Sequence, residues 1–85
     1  MNIYYSPEFV HCFKKLPNQL KLKAIEKERI FRSNYFDSRL KTHKLSGKLK
    51  GRWAFSIDFQ TRIIFSMVNP ELFYFHSIGR HDIYK

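Results

Sequence analysis

The sequence has one cysteine, Cys12, and no run of about 18 apolar residues. A single thiol excludes an internal disulfide and is typical of proteins of the reducing cytoplasm. Because a helix needs about 20 apolar residues to span a bilayer, we expect no transmembrane helix. The first residues show no charged segment followed by an apolar one, so we expect no signal peptide and a cytoplasmic location.

The chain also lacks the motifs of most familiar enzymes. No histidines or cysteines lie at metal-ligand spacing, and the seven carboxylates are scattered through separate segments, so we expect no metal. A phosphate-cradling glycine loop, a nucleophile elbow and a dinucleotide fingerprint are absent, so we expect no cofactor. RNA cleavage stays open, because the RNA 2′-hydroxyl is the nucleophile and the enzyme needs only a proton acceptor, a proton donor and a cation.

Acidic residues are few, and this shortage indicates a polyanionic partner. Sixteen Lys and Arg against seven Asp and Glu give a formal charge of +9. Nucleic acid ranks above an anionic membrane, since no long basic amphipathic helix is visible. Residues 39–52, which we call the basic loop, contain no carboxylate, and their six cations are Arg39, Lys41, Lys44, Lys48, Lys50 and Arg52. Binding of a phosphate backbone and a merely solvated charged loop are the two interpretations.

The patterns present predict one small α+β domain over residues 1–85, with fifteen aromatic residues to build its core. The stretch "NIYYS" predicts a strand. Ser6 can cap a first helix, and Pro17 ends that helix and can open a second, from Gln19 to about Ser33. After a connecting loop with turns at Gly47 and Gly51, "WAFSIDF", "TRIIFSMV" and "LFYFHSI" predict a three-stranded antiparallel meander.

The alternation of these strands separates two faces of the predicted sheet. The residues predicted to be buried under the helices include Trp53, Phe55, Ile57, Phe59, Ile63, Phe65, Phe73 and Phe75. The other face collects Ser56, Arg62 and His76, close to the basic loop. We interpret His76 as a cross-strand packing residue rather than a catalytic one.

Three segments, "YYSPEFVHCFKKLP", "RLKTHKLSGKLKGRWAFSIDFQTRIIF" and "SIGRHDIYK", together resemble the RelE/ParE toxin superfamily, particularly its RelE- and YafQ-like messenger-RNA interferases. The resemblance implies an N-terminal strand and a two-helix hairpin packed on a four-stranded antiparallel sheet. It also implies the toxin of a type II toxin-antitoxin system, which cleaves mRNA in the ribosomal A site and inhibits translation. The implied partners are mRNA, the ribosome and a cognate antitoxin, with a hetero-oligomer in the antitoxin complex and a monomer when free.

The resemblance also implies site residues by position. Arg62 matches the family's sheet arginine that contacts the scissile phosphate. His81 in "GRHDIY" matches a C-terminal histidine that transfers protons in YafQ-like members, and His43 in "HKLSG" matches another of their histidines. Tyr84 stands where RelE-like members have a catalytic tyrosine, and Arg80 lies near their second arginine.

Two features leave alternatives open. The chain has Ala54 and Ser56 where YafQ-like members can carry an acid and a histidine, and it lacks the strand lysine pair of RelE-like members, so the general base is undetermined. One alternative is a ParE-like inhibitor of DNA gyrase with the same fold. The other is a catalytically inactive module that binds nucleic acid or an antitoxin.

Overall fold

A computed structural model describes residues 1–80 of the chain. Its strands and helices are β1 (Asn2–Tyr5), α1 (Pro7–Lys14), α2 (Asn18–Ser33), β2 (His43–Lys44), β3 (Trp53–Ser56), β4 (Thr61–Asn69) and β5 (Leu72–Arg80). Two short 3-10 turns, Ser38–Leu40 and Gly47–Leu49, flank β2. The predicted order of strand, two helices, loop and three-stranded meander is confirmed.

The sheet has five strands in the order β1-β5-β4-β3-β2. The meander β3-β4-β5 is antiparallel as predicted, whereas β1 runs parallel to β5, with Ile3 opposite Phe73. The expected four-stranded, wholly antiparallel sheet is therefore wrong in strand number and in the direction of one strand. The fifth strand arises because the basic loop folds back onto β3, where His43 pairs with Ala54.

Local signals set the helix ends where the sequence predicts them. The Ser6 hydroxyl accepts a hydrogen bond from the Phe9 amide at 2.9 Å and donates one to the His76 carbonyl at 2.6 Å. Ser6 therefore caps α1 and also ties that helix to β5. Pro17 precedes α2 as its N-cap residue.

The core lies between the two helices and one face of the sheet. Its centre is Phe31 of α2, whose side chain is 0% exposed. Its ring centroid lies between 4.8 and 5.3 Å from those of Phe55, Phe65, Phe73 and Phe75. The α+β architecture with both helices on one face of the sheet is thus confirmed, and the helix-facing side is filled with aromatic rings.

One predicted core residue is exposed. Phe59 is 99% accessible to solvent, so its placement on the buried face was wrong. The alternation stops because β3 ends at Ser56 and the Asp58 carboxylate accepts hydrogen bonds from the amides of Gln60 and Thr61, at 2.9 and 2.7 Å. These bonds turn the chain and leave Phe59 at the tip of the hairpin.

Candidate functional site

The face of the sheet opposite the helices, which we call the open face, carries most of the polar site residues. Strand pairing and alternation assign to it Tyr4, His43, Ala54, Ser56, Arg62, Ile64, Ser66, Tyr74 and His76. Arg52, one residue before β3, lies on the same side by this alternation. The predicted grouping of Ser56, Arg62 and His76 on one face of the sheet is confirmed.

Arg62 and His43 meet on the open face. Arg62 Nη1 lies 3.3 Å from His43 Nε2, and His43 Nδ1 lies 2.9 Å from the Lys41 carbonyl oxygen. Because a carbonyl oxygen can only accept, Nδ1 carries the proton and Nε2 is the acceptor that faces the guanidinium. Lys41 holds its backbone in the left-handed region, with φ 52°. The backbone thus fixes one tautomer of His43 beside a permanent cation.

The Arg62 guanidinium retains an unused donor. Its Nε is buried and has no hydrogen-bond partner within residues 1–80. An unpaired buried N–H costs about 1–3 kcal/mol. Asp58 does not pair with Arg62, since its carboxylate accepts from the backbone of the β3-β4 turn. A guanidinium with a free donor on a polar face is suited to bind an anionic oxygen.

The basic loop offers exposed lysines, but one of its arginines is already paired. Arg39 binds Asp37 through two hydrogen bonds of 2.9 Å, and these hold the pKa of the Asp37 carboxyl at about 2. This pair was not predicted, because Asp37 lies just outside the carboxylate-free residues 39–52. The exposed lysines of the loop are Lys41, Lys44, Lys48 and Lys50. Phosphate binding by the loop therefore depends on its lysines more than on Arg39.

His76 belongs to a polar contact as well as to packing. Its Nε2 lies 2.6 Å from the Ser66 hydroxyl, and its ring lies 4.6 Å from that of Tyr74. Burial, and then the positive charge of Arg52, lower the pKa of His76, although Glu8 acts in the opposite direction. The packing interpretation of His76 is supported, but its contact with Ser66 and its proximity to Arg52 were not predicted.

The register of β5 separates one predicted site residue, Arg80, from Arg62 and His43. Arg80 is the last residue of β5 and lies opposite Thr61, whereas Arg62 lies opposite Gly79. Alternation therefore directs Arg80 to the helix-facing side of the sheet. His81 and Tyr84 lie outside the described residues.

The described part of the chain has neither a metal-binding group of side chains nor a membrane-spanning helix. Within residues 1–80, no three His, Cys, Asp or Glu side chains are grouped so that they could hold a metal ion. Neither helix described here has the length and apolar character needed to cross a membrane. Arg62 and His43 are the two predicted catalytic residues that the structure brings into contact within residues 1–80.

A helix pair on one side of a sheet and a polar, cationic face on the other define an α+β fold that solved toxins share. The YoeB/ParE toxin from Agrobacterium tumefaciens superposes with a TM-score of 0.79 at 14% identity, over 95% of this chain and 99% of that one. YafQ from E. coli strain BL21(DE3) gives 0.73 at 21% identity, over 98% and 96%. The YoeB-YefM complex from Staphylococcus aureus gives 0.76 at 21% identity, over 95% and 97%.

The chain therefore has the fold of the YoeB and YafQ toxins, and the resemblance inferred from the sequence is confirmed at the level of the fold. No protein-family model matches the chain, and no curated protein matches it significantly. The similarity thus resides in the backbone and in a few positions.

Proposed function

We propose that the protein is the toxin of a type II toxin-antitoxin pair, a metal-independent endoribonuclease that cleaves mRNA in the ribosomal A site and inhibits translation in the cytoplasm. The observation that carries the proposal is the contact of Arg62 with a tautomer-fixed His43 on the open face of a toxin fold. This pair supplies a cation and a proton acceptor, two of the three groups that RNA cleavage requires.

The reaction begins with attack of the RNA 2′-hydroxyl on the adjacent phosphorus. Arg62 binds the non-bridging phosphate oxygens with its guanidinium, and the buried Nε, which has no partner within residues 1–80, becomes a donor to them only when the side chain moves away from His43. As charge accumulates on these oxygens, the guanidinium stabilises the transition state. The phosphate also draws Arg62 away from His43, so that His43 Nε2 becomes free to accept the 2′-hydroxyl proton.

The leaving 5′-oxygen needs a proton, and we assign its donation to His81. This role follows from the resemblance to YafQ-like toxins, and Tyr84 is the alternative donor. Breaking the P–O5′ bond leaves a 2′,3′-cyclic phosphate on one fragment and a 5′-hydroxyl on the other. We assign the general base to His43, since the strand positions 54 and 56 hold Ala and Ser.

Two macromolecular partners are part of the proposal. The exposed lysines of the basic loop bind phosphates of the message and of ribosomal RNA, so binding should weaken steeply as salt is added. A cognate antitoxin covers the open face with an acidic segment. Solved YoeB occurs in a complex with YefM and solved YafQ in a complex with DinJ, which supports an antitoxin partner for this chain.

The test is to add purified protein to ribosomes programmed with a defined message and to map new 3′ ends. We expect cuts in the A-site codon that require the ribosome and that are lost in Arg62→Met, His43→Gln and His81→Ala. The matched controls are His11→Gln and Arg29→Met, which change exposed residues of α1 and α2 and should cleave normally.

Other outcomes would replace the proposal. If the folded protein arrests growth with intact transcripts and broken DNA, the ParE-like alternative, inhibition of gyrase, is correct. If the folded protein is harmless on overexpression, the protein is a catalytically inactive binding module.

A further inference from the structure

Three rings form a continuous row on the open face. The rings of Tyr74 and His76 on β5 lie 4.6 Å apart, and Tyr74 stacks on Tyr4 of β1 at 4.8 Å with an interplanar angle of 27°. The hydrogen bond between the Ser66 hydroxyl and His76 Nε2 fixes the inner end of the row. The row therefore runs from a polar anchor inside the sheet to its β1 edge.

The outer ring of the row is open to solvent. Tyr4 is 52% exposed, although its ring is large and partly apolar. In the part of the chain that the structure describes, Tyr74 is the only aromatic ring in contact with Tyr4. The aromatic core lies on the opposite side of the sheet, so core packing does not account for the row. Beside it is an apolar hollow of about 230 Å³, lined by Tyr4, Val68, Leu72, Phe73 and Tyr74.

The charge of the same face indicates an anionic ligand. Arg52 is close enough to His76 to lower its pKa, and Arg62 lies further along β4. Tyr4 is three strands away from Arg52 in the sheet order, about 14 Å at about 4.8 Å per strand. A ligand that contacts the arginines and the outer tyrosine together must be extended, with phosphates at one end and a planar ring at the other.

The geometry points to Tyr4 and Tyr74 as a stacking site for an unpaired base of single-stranded RNA. The phosphates of the same RNA molecule bind Arg52 and Arg62. Single-stranded RNA is the occupant because its bases are free to stack on aromatic side chains, whereas duplex bases are already stacked. His76 orients Tyr74 and does not itself contact the base. The identity of the ligand rests on the proposed function, but the stacking site makes no use of the cleavage step.

The test measures stacking without cleavage. A short single-stranded oligoribonucleotide with one 2-aminopurine base and 2′-deoxy substitutions that block cleavage is titrated with the wild-type protein, Tyr4→Phe and Tyr4→Leu. Stacking quenches 2-aminopurine, so wild type and Tyr4→Phe should quench and bind alike. Tyr4→Leu should lose the quench and bind about 5- to 150-fold more weakly, the range that corresponds to one stacked base.

A matched control removes an equally exposed ring elsewhere. Phe36 is 53% exposed and packs on Trp53, on the helix-facing side, so Phe36→Leu should leave quench and affinity unchanged. Absence of quench by wild type, or equal quench by wild type and Tyr4→Leu, would overturn the stacking site. The stacking site would also be overturned if Tyr4→Leu weakened the binding of a peptide from the antitoxin and left the binding of the oligoribonucleotide unchanged. Wild-type protein that quenches but cuts no programmed message would instead refute the proposed function and leave the stacking site standing.

Discussion

We expect Arg62 to lower the free energy of unfolding of the protein. The substitution Arg62→Met tests this directly. Arg62→Met keeps an unbranched apolar side chain and removes every donor. The fold then loses one exposed hydrogen bond of 3.3 Å to His43, worth about 0.5–1.5 kcal/mol. It is also relieved of the buried, unpaired Nε, which costs about 1–3 kcal/mol. We therefore expect the free energy of unfolding to stay constant or to rise by up to about 2 kcal/mol.

Cleavage of RNA by Arg62→Met should fall, although the stability of the protein does not. Loss of a single preorganised donor to the transition state lowers a rate by about 10²- to 10³-fold, or about 2.7–4 kcal/mol, so loss of the whole guanidinium should lower cleavage by at least about 10²-fold. Unfolding in urea can be followed by the fluorescence of Trp53, the single tryptophan, and cleavage by the ends mapped on programmed ribosomes. Arg29→Met on α2 is the control for loss of an arginine and should alter neither quantity.

Two results would contradict this account of Arg62. If Arg62→Met lowers the free energy of unfolding by more than about 1 kcal/mol at an unchanged m-value, Arg62 stabilises the sheet and its Nε is satisfied in the native protein. If the variant is stable and cleaves like wild type, the free donor has no role in the transition state.

Three further predictions concern stability. Phe31→Ala should lower the free energy of unfolding by about 3–5 kcal/mol, because it empties the centre of the aromatic core; a loss under about 1 kcal/mol in urea would contradict this. Ser6→Ala removes the helix cap and the donor to the His76 carbonyl, so it should cost about 1–2 kcal/mol by thermal melts, and Ser6→Thr should recover part of the loss. The pKa of His76 lies below its usual 6.5 in the folded protein, so the unfolded chain takes up a proton first on acidification. The stability contributed by neutral His76 is thus complete above pH 6.5 and falls as the pH drops towards the folded pKa, and His76→Gln should flatten this slope; an unchanged slope would assign it to other groups.

Features governed by neighbouring residues could be predicted from the sequence. Ser6 and Pro17 set helix ends through groups within a few residues of themselves, and the meander follows from alternation and short turns. Phe59 was placed wrongly because the alternation was continued past Asp58, whose carboxylate turns the backbone. The contact was local, but a side-chain hydrogen bond that ends a strand leaves no periodic signal.

Features that join distant segments could not be predicted from pattern. Nothing in "NIYYS" shows that it pairs in parallel with β5, since that pairing depends on the path of the intervening chain. Arg62 and His43 were both identified through the family resemblance. They are 19 residues apart in sequence, and their contact depends on side-chain rotamers, as does the unpaired Nε of Arg62. The stack of Tyr4 on Tyr74 likewise could not be predicted, because it depends on the register between β1 and β5, whose pairing was not predicted.

The position of β5 in the sheet determines when the protein can fold during its synthesis. This strand lies between β1 and β4, accepts the bond from Ser6, and is the last of the five to be synthesised. Until it emerges, β1 has no partner and α1 has no strand beneath it, because Ser6 and His76 are 70 residues apart. Such non-local closure delays assembly of the sheet until β5 has been synthesised. A nascent chain that still lacks β5 therefore cannot assemble the complete open face of the sheet.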